Sequence, residues 1–134
     1  GRGAPDDFVQ KIGSYEGVVY CGEVEDAREF MRTKALMIVP LLTGSGMRIK
    51  IVEGMALGKA VVSTNIGAEG IEADPETQIA IADEPISFAY QIINLLNDRR
   101  KLEKMGENAK LFARIKLDNN RITKALLDFY SEML

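Results

Sequence analysis

The order of segments between residues 35 and 63 constrains the fold of this chain more than any other feature. An apolar run over residues 35–39 ends at Pro40 and is followed by the glycine-rich residues 43–46. A helical pattern then leads to a second apolar run over residues 60–63. Strand, helix and strand in this order predict two parallel neighbours in one sheet, joined by a crossover helix.

The rest of the chain extends this α/β pattern. Helices are predicted over residues 6–12 and 26–33, and strands over residues 18–21 and 78–82, the latter at a sheet edge. From residue 86 onward apolar residues repeat at helical spacing, and Asp118 is predicted to cap a last helix. We therefore predict one domain over residues 1–134, with a parallel sheet flanked by helices on both faces and a mostly helical tail over 86–134.

The composition excludes several classes of function. The chain has 134 residues, no histidine and a net charge of −3. A histidine-dependent triad or metal site is therefore excluded within this chain, and no broad basic field exists to bind nucleic acid. No acidic cluster has metal-ligand spacing, so no metal is predicted, and no apolar run reaches membrane-spanning length. Cys21 is the only cysteine, so no intramolecular disulfide can form, which fits a reducing compartment. We interpret Cys21 as a buried, inert thiol.

The glycine-rich residues predict a site for an anion. A helix that begins in glycines offers unpaired N–H groups and a positive dipole end, which together favour phosphate. Glu53 is expected two turns inside this helix, seven positions after Gly46 and hence on the same face, with its carboxylate leaning back toward the loop. Phosphates on the amides and ribose hydroxyls on the acid would suit a nucleotide.

Each of these residues also has a simpler interpretation. Gly44 and Gly46 serve equally as turn formers, and Ser45 as a plain helix N-cap. Glu53 would be an ordinary solvated residue paired with Lys50. Arg48 and Lys50 either face the cleft or lie on a solvated face.

The first residues of the chain resemble a loop that enters a helix. Only four strand candidates follow, and the first strands of a doubly wound nucleotide domain, which would lie at the centre of the sheet, are missing. We therefore expect a fragment of a longer chain. If it folds alone, the open strand edges require either a reordered sheet or a pair of copies, that is, a homodimer.

Three segments together resemble the C-terminal domain of group 1 glycosyltransferases, which are two-domain enzymes of the GT-B type. They cover residues 17–26, 39–64 and 67–71. The middle segment carries the most specific pattern, a proline, then Gly-Ser-Gly, Arg, Lys and Glu, and a glycine before a strand. The resemblance implies an incomplete Rossmann-like domain that binds the nucleotide-sugar donor, while an absent N-terminal domain binds the acceptor.

The resemblance also implies roles for individual residues. Glu53 would contact the ribose hydroxyls, and Gly44, Ser45 and Gly46 would lie against the diphosphate or the donor sugar. Many members carry a second glutamate eight positions earlier, where this chain has Ser45. The wider predicted site adds residues to the nucleotide-sugar contacts and to the border of the cleft, namely Arg48, Lys50, Thr43, Gly67, Ala68 and Glu69.

The implied activity is transfer of a sugar, typically a hexose, from a nucleoside diphosphate to an acceptor hydroxyl, without a cofactor. This chain alone is expected to be inactive. Polysaccharide assembly and a cytoplasmic location, peripheral to the membrane in the full-length enzyme, are the accompanying expectations. Two alternatives remain open: a nucleotide-sugar epimerase of the same architecture, and a non-catalytic interaction domain with a decayed nucleotide site.

Overall fold

The computed structural model describes residues 3–118, 124, 127–128 and 131–132, with the side chains of residues 117 and 118 left aside. Its elements alternate between helix and strand and then become helical. In chain order they are α1 (Asp6–Gly13), α2 (Ala27–Arg32), β1 (Leu36–Val39), α3 (Ile49–Ala56), β2 (Ala60–Ser63), β3 (Ala80–Ile81), α4 (Pro85–Asn97) and α5 (Arg99–Asp118).

The three strands of the described residues form one parallel sheet in the order β1-β2-β3. Leu36 pairs with Ala60 at the start of the β1–β2 ladder, and Val62 pairs with Ala80 in the β2–β3 ladder. β2 is buried along its whole length because it lies between the other two strands and is covered on both faces. The predicted parallel sheet with flanking helices is confirmed, with β3 at an edge.

Alternation along β2 divides the core into two clusters. Val61 packs with Ile51 and Met55 of α3 and with the second half of α5. Ala60 and Val62 face the other way and pack with side chains of α4, β3 and the first half of α5. Successive strand residues point to opposite faces, so one strand serves both layers.

Several helix ends follow from local residues. The side chain of Asp26 accepts hydrogen bonds from the backbone N–H groups of Arg28 (3.0 Å) and Glu29 (3.3 Å) and so caps α2. Gly58, just beyond α3, has φ 78° and forms a left-handed cap of this helix. A Cβ on Gly106 of α5 would clash with the carbonyl oxygen of Gly58, so a glycine is needed where α5 crosses this turn.

The predicted strand over residues 18–21 is wrong. Val18 and Val19 are exposed to 46% and 82%, and the segment has no strand partner in the described part of the chain. Cys21 is exposed as well, so its interpretation as a buried thiol is also wrong. β propensity indicates compatibility with a pleated surface, whereas strand formation requires a neighbour to pair with.

The edge of β1 opposite β2 borders a groove of about 890 Å³, referred to below as the β1-edge groove. Its other wall comes from residues 18–24, from Phe30 and Met31 of α2, and from Lys50 of α3. Lys59 closes one end, where its Nζ donates hydrogen bonds to the carbonyl oxygens of Arg32 (3.0 Å) and Lys34 (2.6 Å).

The helical tail agrees with prediction as far as it is described. α4 and α5 bury apolar residues at helical spacing, among them Phe88, Leu95, Met105 and Ala109. Asp118 is helical and belongs to α5, so it is not the cap of a new helix. The predicted last helix falls mostly outside the described residues. Within those residues, no helix combines the length and apolarity that a membrane crossing requires.

Candidate functional site

The loop between β1 and α3, residues 40–48, lies at the carboxyl edge of the sheet and is called the glycine-rich loop below. Gly44 and Gly46 have φ values of 129° and 84°, a region that other residues rarely adopt. Ligands of open parallel sheets bind at this edge, outside the carboxyl ends of the strands. The predicted position of the loop at this edge is therefore confirmed, and its role as a ligand site stays a prediction.

The side chain of Arg48 forms hydrogen bonds within this loop. Its Nη1 donates hydrogen bonds to the carbonyl oxygens of Ser45 (2.6 Å) and Gly46 (2.8 Å). A Cβ on Gly44 would clash with Nη2 of the same guanidinium. The side chain thus binds the carbonyl groups of its own loop, an arrangement that neither the cleft-facing nor the solvated interpretation anticipates.

The start of α3 differs from the prediction in two ways. The helix begins at Ile49, with Arg48 as the N-cap residue, so Ser45 is not the N-cap. Gly46 lies outside the helix, so the predicted helix face shared by Gly46 and Glu53 does not exist. Glu53 is the fifth residue of α3, little more than one turn inside rather than two.

The N-terminus of α3 has the features from which an anion site was predicted. No side chain caps it in the described structure, while Ile51 N–H bonds to the carbonyl oxygen of Arg48 at 3.1 Å. The first N–H groups of a helix carry a positive partial charge, and an anion placed there is stabilised. Arg48 adds a positive charge to the same loop.

Glu53 and Lys50 lie on neighbouring parts of α3. Glu53 is half-buried between the buried residues Val52 and Gly54, and Lys50 is exposed. The two form no ion pair within 4.0 Å in the described part of the chain. Lys50 lines the β1-edge groove. The nucleotide roles of both residues stay predictions.

A second loop, residues 67–70, packs beside the first and is called the 67–70 turn. Gly67 is buried, Ala68 packs against the core, and Glu69 is exposed. A Cβ on Gly70 would lie 3.3 Å from Cβ of Met47 in the glycine-rich loop. The fold thus brings the two predicted segments together, while Thr43 is exposed on the first of them.

Three residues that were not predicted from the sequence form hydrogen bonds at this second loop or just before it. Thr64 Oγ1 donates a hydrogen bond to the carbonyl oxygen of Leu41 (2.6 Å) and accepts one from Gly67 N–H (3.0 Å). The carboxylate of Asp83 accepts hydrogen bonds from the backbone N–H of Asn65 (2.9 Å) and from its Nδ2 (2.7 Å). The only sequence feature that could have identified these residues is their position, because each follows the end of a strand at the ligand-binding edge of the sheet.

The hydrogen bonds to Asp83 alter its acidity. The backbone N–H of Asn65, and then its side-chain amide, stabilise the carboxylate and hold the pKa of Asp83 below its ordinary value of 3.8. The backbone N–H groups of Glu76 and Thr77 lower the pKa of Asp74 in the same way. Asp83 is therefore charged at neutral pH, and its hydrogen bonds with Asn65 are present there.

In the ranges that the structure describes, no three or more Cys, Asp or Glu side chains come together in a way that would hold a metal ion. The chemistry of the candidate site consists of backbone N–H groups, one guanidinium and carboxylates. Such a set stabilises phosphate oxygens and accepts hydrogen bonds from hydroxyl groups.

Comparisons with known proteins add to this geometry. A family model described as glycosyl transferases group 1 matches residues 1–98. An uncharacterized 44.6 kDa protein in the cps region of Klebsiella pneumoniae is 25% identical over 129 residues. A phosphatidyl-myo-inositol mannosyltransferase from Mycolicibacterium smegmatis is 31% identical over 103 residues, and an uncharacterized glycosyltransferase from Methanocaldococcus jannaschii is 30% identical over 92 residues.

The same kind of fold occurs in a solved structure. The crystal structure of HepE from Anabaena in complex with UDP superposes with a TM-score of 0.77 and 21% identity, covering 94% of this chain and 37% of that one. The matches to the three relatives cover 93%, 73% and 67% of this chain, in the order given above. They cover only 33%, 27% and 26% of the lengths of the relatives themselves, so the chain spans a quarter to a third of each.

Proposed function

The chain belongs to the group 1 glycosyl transferases, and from that premise we propose that it forms the donor-binding part of a glycosyltransferase. The reaction transfers a sugar from a nucleoside diphosphate to an acceptor hydroxyl. The acceptor is held by a further domain of the longer enzyme, and this chain alone binds nucleotide without turnover. The share of its relatives that the chain spans, a quarter to a third, supports this division.

One observation carries the proposal: a loop with two positive-φ glycines joins the carboxyl end of β1 to the N-terminus of α3. The N–H groups of this loop and of the first helical turn are suited to the diphosphate of the donor. When the glycosidic bond breaks, negative charge grows on the leaving diphosphate. Preoriented N–H groups and the helix dipole stabilise that charge in the transition state, which accelerates the transfer.

Glu53 is the residue that we propose for the ribose. It is half-buried, lies just beyond the first turn of α3, and makes no ion pair in the described structure that would neutralise it. A carboxylate accepts hydrogen bonds from two vicinal hydroxyl groups, as ribose offers them. Gly44, Ser45 and Gly46 are proposed to border the diphosphate or the sugar, with Glu69 at the edge of the cleft.

Arg48 and Lys50 enter the proposal differently. Arg48 contributes its charge close to the diphosphate while its Nη1 is bonded to loop carbonyl groups. Lys50 lines the β1-edge groove, so a donor contact by Lys50 would require a donor that reaches that side of α3. Of the two, Arg48 is therefore the better candidate for the nucleotide.

The pathway and location are also proposals. One relative is named for a cps region and another for mannosyl transfer to phosphatidyl-myo-inositol, which supports hexosyl transfer in glycan or glycolipid assembly. We place the longer enzyme in the cytoplasm, peripheral to the membrane where its acceptor is a lipid. UDP, which is bound in the structurally similar HepE, is the first nucleotide to test.

Calorimetric titration of the chain with UDP, GDP and ADP tests the proposal. Binding of one of the three is expected, and Glu53→Ala should raise its Kd about tenfold to a hundredfold, since a charge-assisted hydrogen bond contributes roughly 1.5–3 kcal/mol. Glu107→Ala, which removes an exposed carboxylate from α5, is the matched control and should leave the Kd unchanged. Absence of binding to all three would favour an interaction domain with a decayed site.

A further inference from the structure

A buried hydroxyl connects the two loops of the candidate site. Thr64 directly follows β2 and is 4% exposed. Its Oγ1 donates its proton to the carbonyl oxygen of Leu41 at 2.6 Å and accepts the N–H of Gly67 at 3.0 Å. A hydroxyl has one proton to donate and two lone pairs to accept, so both bonds form at the same time.

The two partners belong to different loops. Leu41 lies in the glycine-rich loop, three residues before Gly44, and Gly67 begins the 67–70 turn that carries Glu69. The backbone of Thr64 adds two bonds of its own, from its N–H to the carbonyl oxygen of Val39 (3.3 Å) and from Ala68 N–H to its carbonyl oxygen (3.0 Å). One residue is thus bonded to the end of β1 and to both loops.

The surroundings of Thr64 leave little room for another arrangement. A Cβ on Gly67 would clash with Ser63 Oγ and would lie 3.0 Å from the carbonyl oxygen of Val39. Ser63 Oγ itself donates a hydrogen bond to the carbonyl oxygen of Thr64 at 2.9 Å. Polar groups in such a packed, buried setting are costly to leave unpaired, so the hydroxyl favours one relative position of the loops.

We propose that Thr64 is a positioning residue, which sets the glycine-rich loop at a fixed distance from the 67–70 turn. It acts through Leu41 and Gly67 and does not touch the nucleotide. Its effect on nucleotide affinity rests on the proposed function, whereas its effect on the loops does not. Residues that orient the groups of a preorganised site commonly affect affinity without contacting the ligand.

Two substitutions distinguish the effect of the Thr64 hydroxyl from the effect of the side chain's shape. Thr64→Val keeps the branched shape and removes both hydrogen bonds, and Thr64→Ser keeps the hydroxyl and removes a methyl group. Thr33→Val is the matched control, because Thr33 Oγ1 also donates to a backbone carbonyl, that of Phe30 at 2.8 Å, at the exposed end of α2. If Thr64→Val does not fold, Thr64→Ala removes the hydroxyl without adding bulk.

The first readout needs no nucleotide. In the ¹⁵N-labelled chain, the amide signals of Gly44, Gly46 and Glu69 should move in Thr64→Val and stay near their wild-type positions in Thr64→Ser and Thr33→Val. Signals of Gly44 and Gly46 that coincide with those of the wild type in Thr64→Val would overturn the inference, whether or not the chain binds nucleotide.

The second readout is the Kd for UDP of the folded chain. Thr64→Val should raise it roughly tenfold, the lower end of what loss of an orienting partner costs at other preorganised sites, and Thr64→Ser should restore it. A wild-type Kd in Thr64→Val would overturn the inference and leave the proposed function intact. If the wild-type chain itself fails to bind UDP, GDP and ADP, the proposed function fails, and the amide signals alone decide the role of Thr64.

Discussion

The guanidinium of Arg48 occupies the space that a side chain at Gly44 would need. Nη2 of Arg48 would clash with a Cβ at that position, while Nη1 is bonded to the carbonyl oxygens of Ser45 and Gly46. Gly44 and Arg48 therefore depend on each other. The glycine admits the guanidinium, and the guanidinium holds the carbonyl groups that give the loop its shape.

Gly44→Ala should push the flexible end of the Arg48 side chain aside and weaken its two exposed hydrogen bonds to the loop. These bonds contribute at most about 1 kcal/mol each, and the φ of 129° adds backbone strain of about 1–3 kcal/mol for any residue with a Cβ, so the free energy of unfolding should fall by about 2–3 kcal/mol. Arg48→Met should lower it by about 1–2 kcal/mol. Urea unfolding of both single variants and the double variant measures the coupling, and strictly additive losses would contradict a shared interaction.

Gly46→Ala should weaken nucleotide binding more than it lowers stability. Gly46 has φ 84°, and a Cβ there would meet no atom within 4 Å, so only backbone strain of about 1–2 kcal/mol is expected. Gly17 is a matched control, with φ 80° and equally open surroundings, far along the chain from the loop. Both variants should lose similar stability, and only Gly46→Ala should raise the Kd for UDP. Equal Kd values for the two variants would show that Gly46 only forms the turn and does not border the nucleotide.

The β1-edge groove predicts self-association of the isolated chain. β1 has an unpaired edge in the described structure, and the groove beside it exposes Val18, Val19 and Tyr20. Exposed strand edges next to apolar surface favour pairing between copies. Light scattering after size-exclusion chromatography should detect a dimer, and Val19→Lys should shift the population toward the monomer. A strict monomer at all concentrations would contradict this prediction.

Asp83 should make the stability of the folded chain sensitive to acid. Because the folded pKa of Asp83 lies below its ordinary value of 3.8, its bonds to Asn65 add stability that is fully present above that value. The contribution is lost as the pH falls below 3.8 through the lowered pKa. Asp83→Asn should therefore flatten the stability profile in this acid range, as measured by unfolding at pH 2–5, whereas Glu107→Gln on the exposed face of α5 should leave it unchanged. If the free energy of unfolding of Asp83→Asn depends on pH as steeply as that of the wild type, the bonds to Asn65 contribute nothing to stability.

The sequence predicted those secondary-structure elements that are determined by the residues within and next to them. β2 over Ala60–Ser63 has the predicted bounds because a short apolar run, framed by Gly58 and a following loop, has few alternatives. The run over residues 18–21 is just as apolar but forms no strand, because strand pairing depends on a neighbour that local sequence does not specify.

The candidate site divides in the same way. The glycines and the helix that follows them were predicted from pattern and family resemblance, whereas the depth of Glu53 in that helix was predicted wrongly because the helix begins later than the sequence suggested. The N-cap at Arg48 was not predicted, because arginine has no capping preference and its role comes from folding back onto Ser45 and Gly46. Thr64 was missed for a similar reason, since its partners lie 23 residues before it and three after it, and only the folded chain brings them together.

A crystal structure of the chain with UDP tests the proposed donor site most directly. We predict that diphosphate oxygens lie within about 3.2 Å of backbone N–H groups of residues 44–46 or the first turn of α3. A Glu53 carboxylate oxygen should accept a hydrogen bond from a ribose hydroxyl. A bound UDP whose diphosphate lies away from this loop, or whose ribose does not contact Glu53, would contradict the proposed donor site.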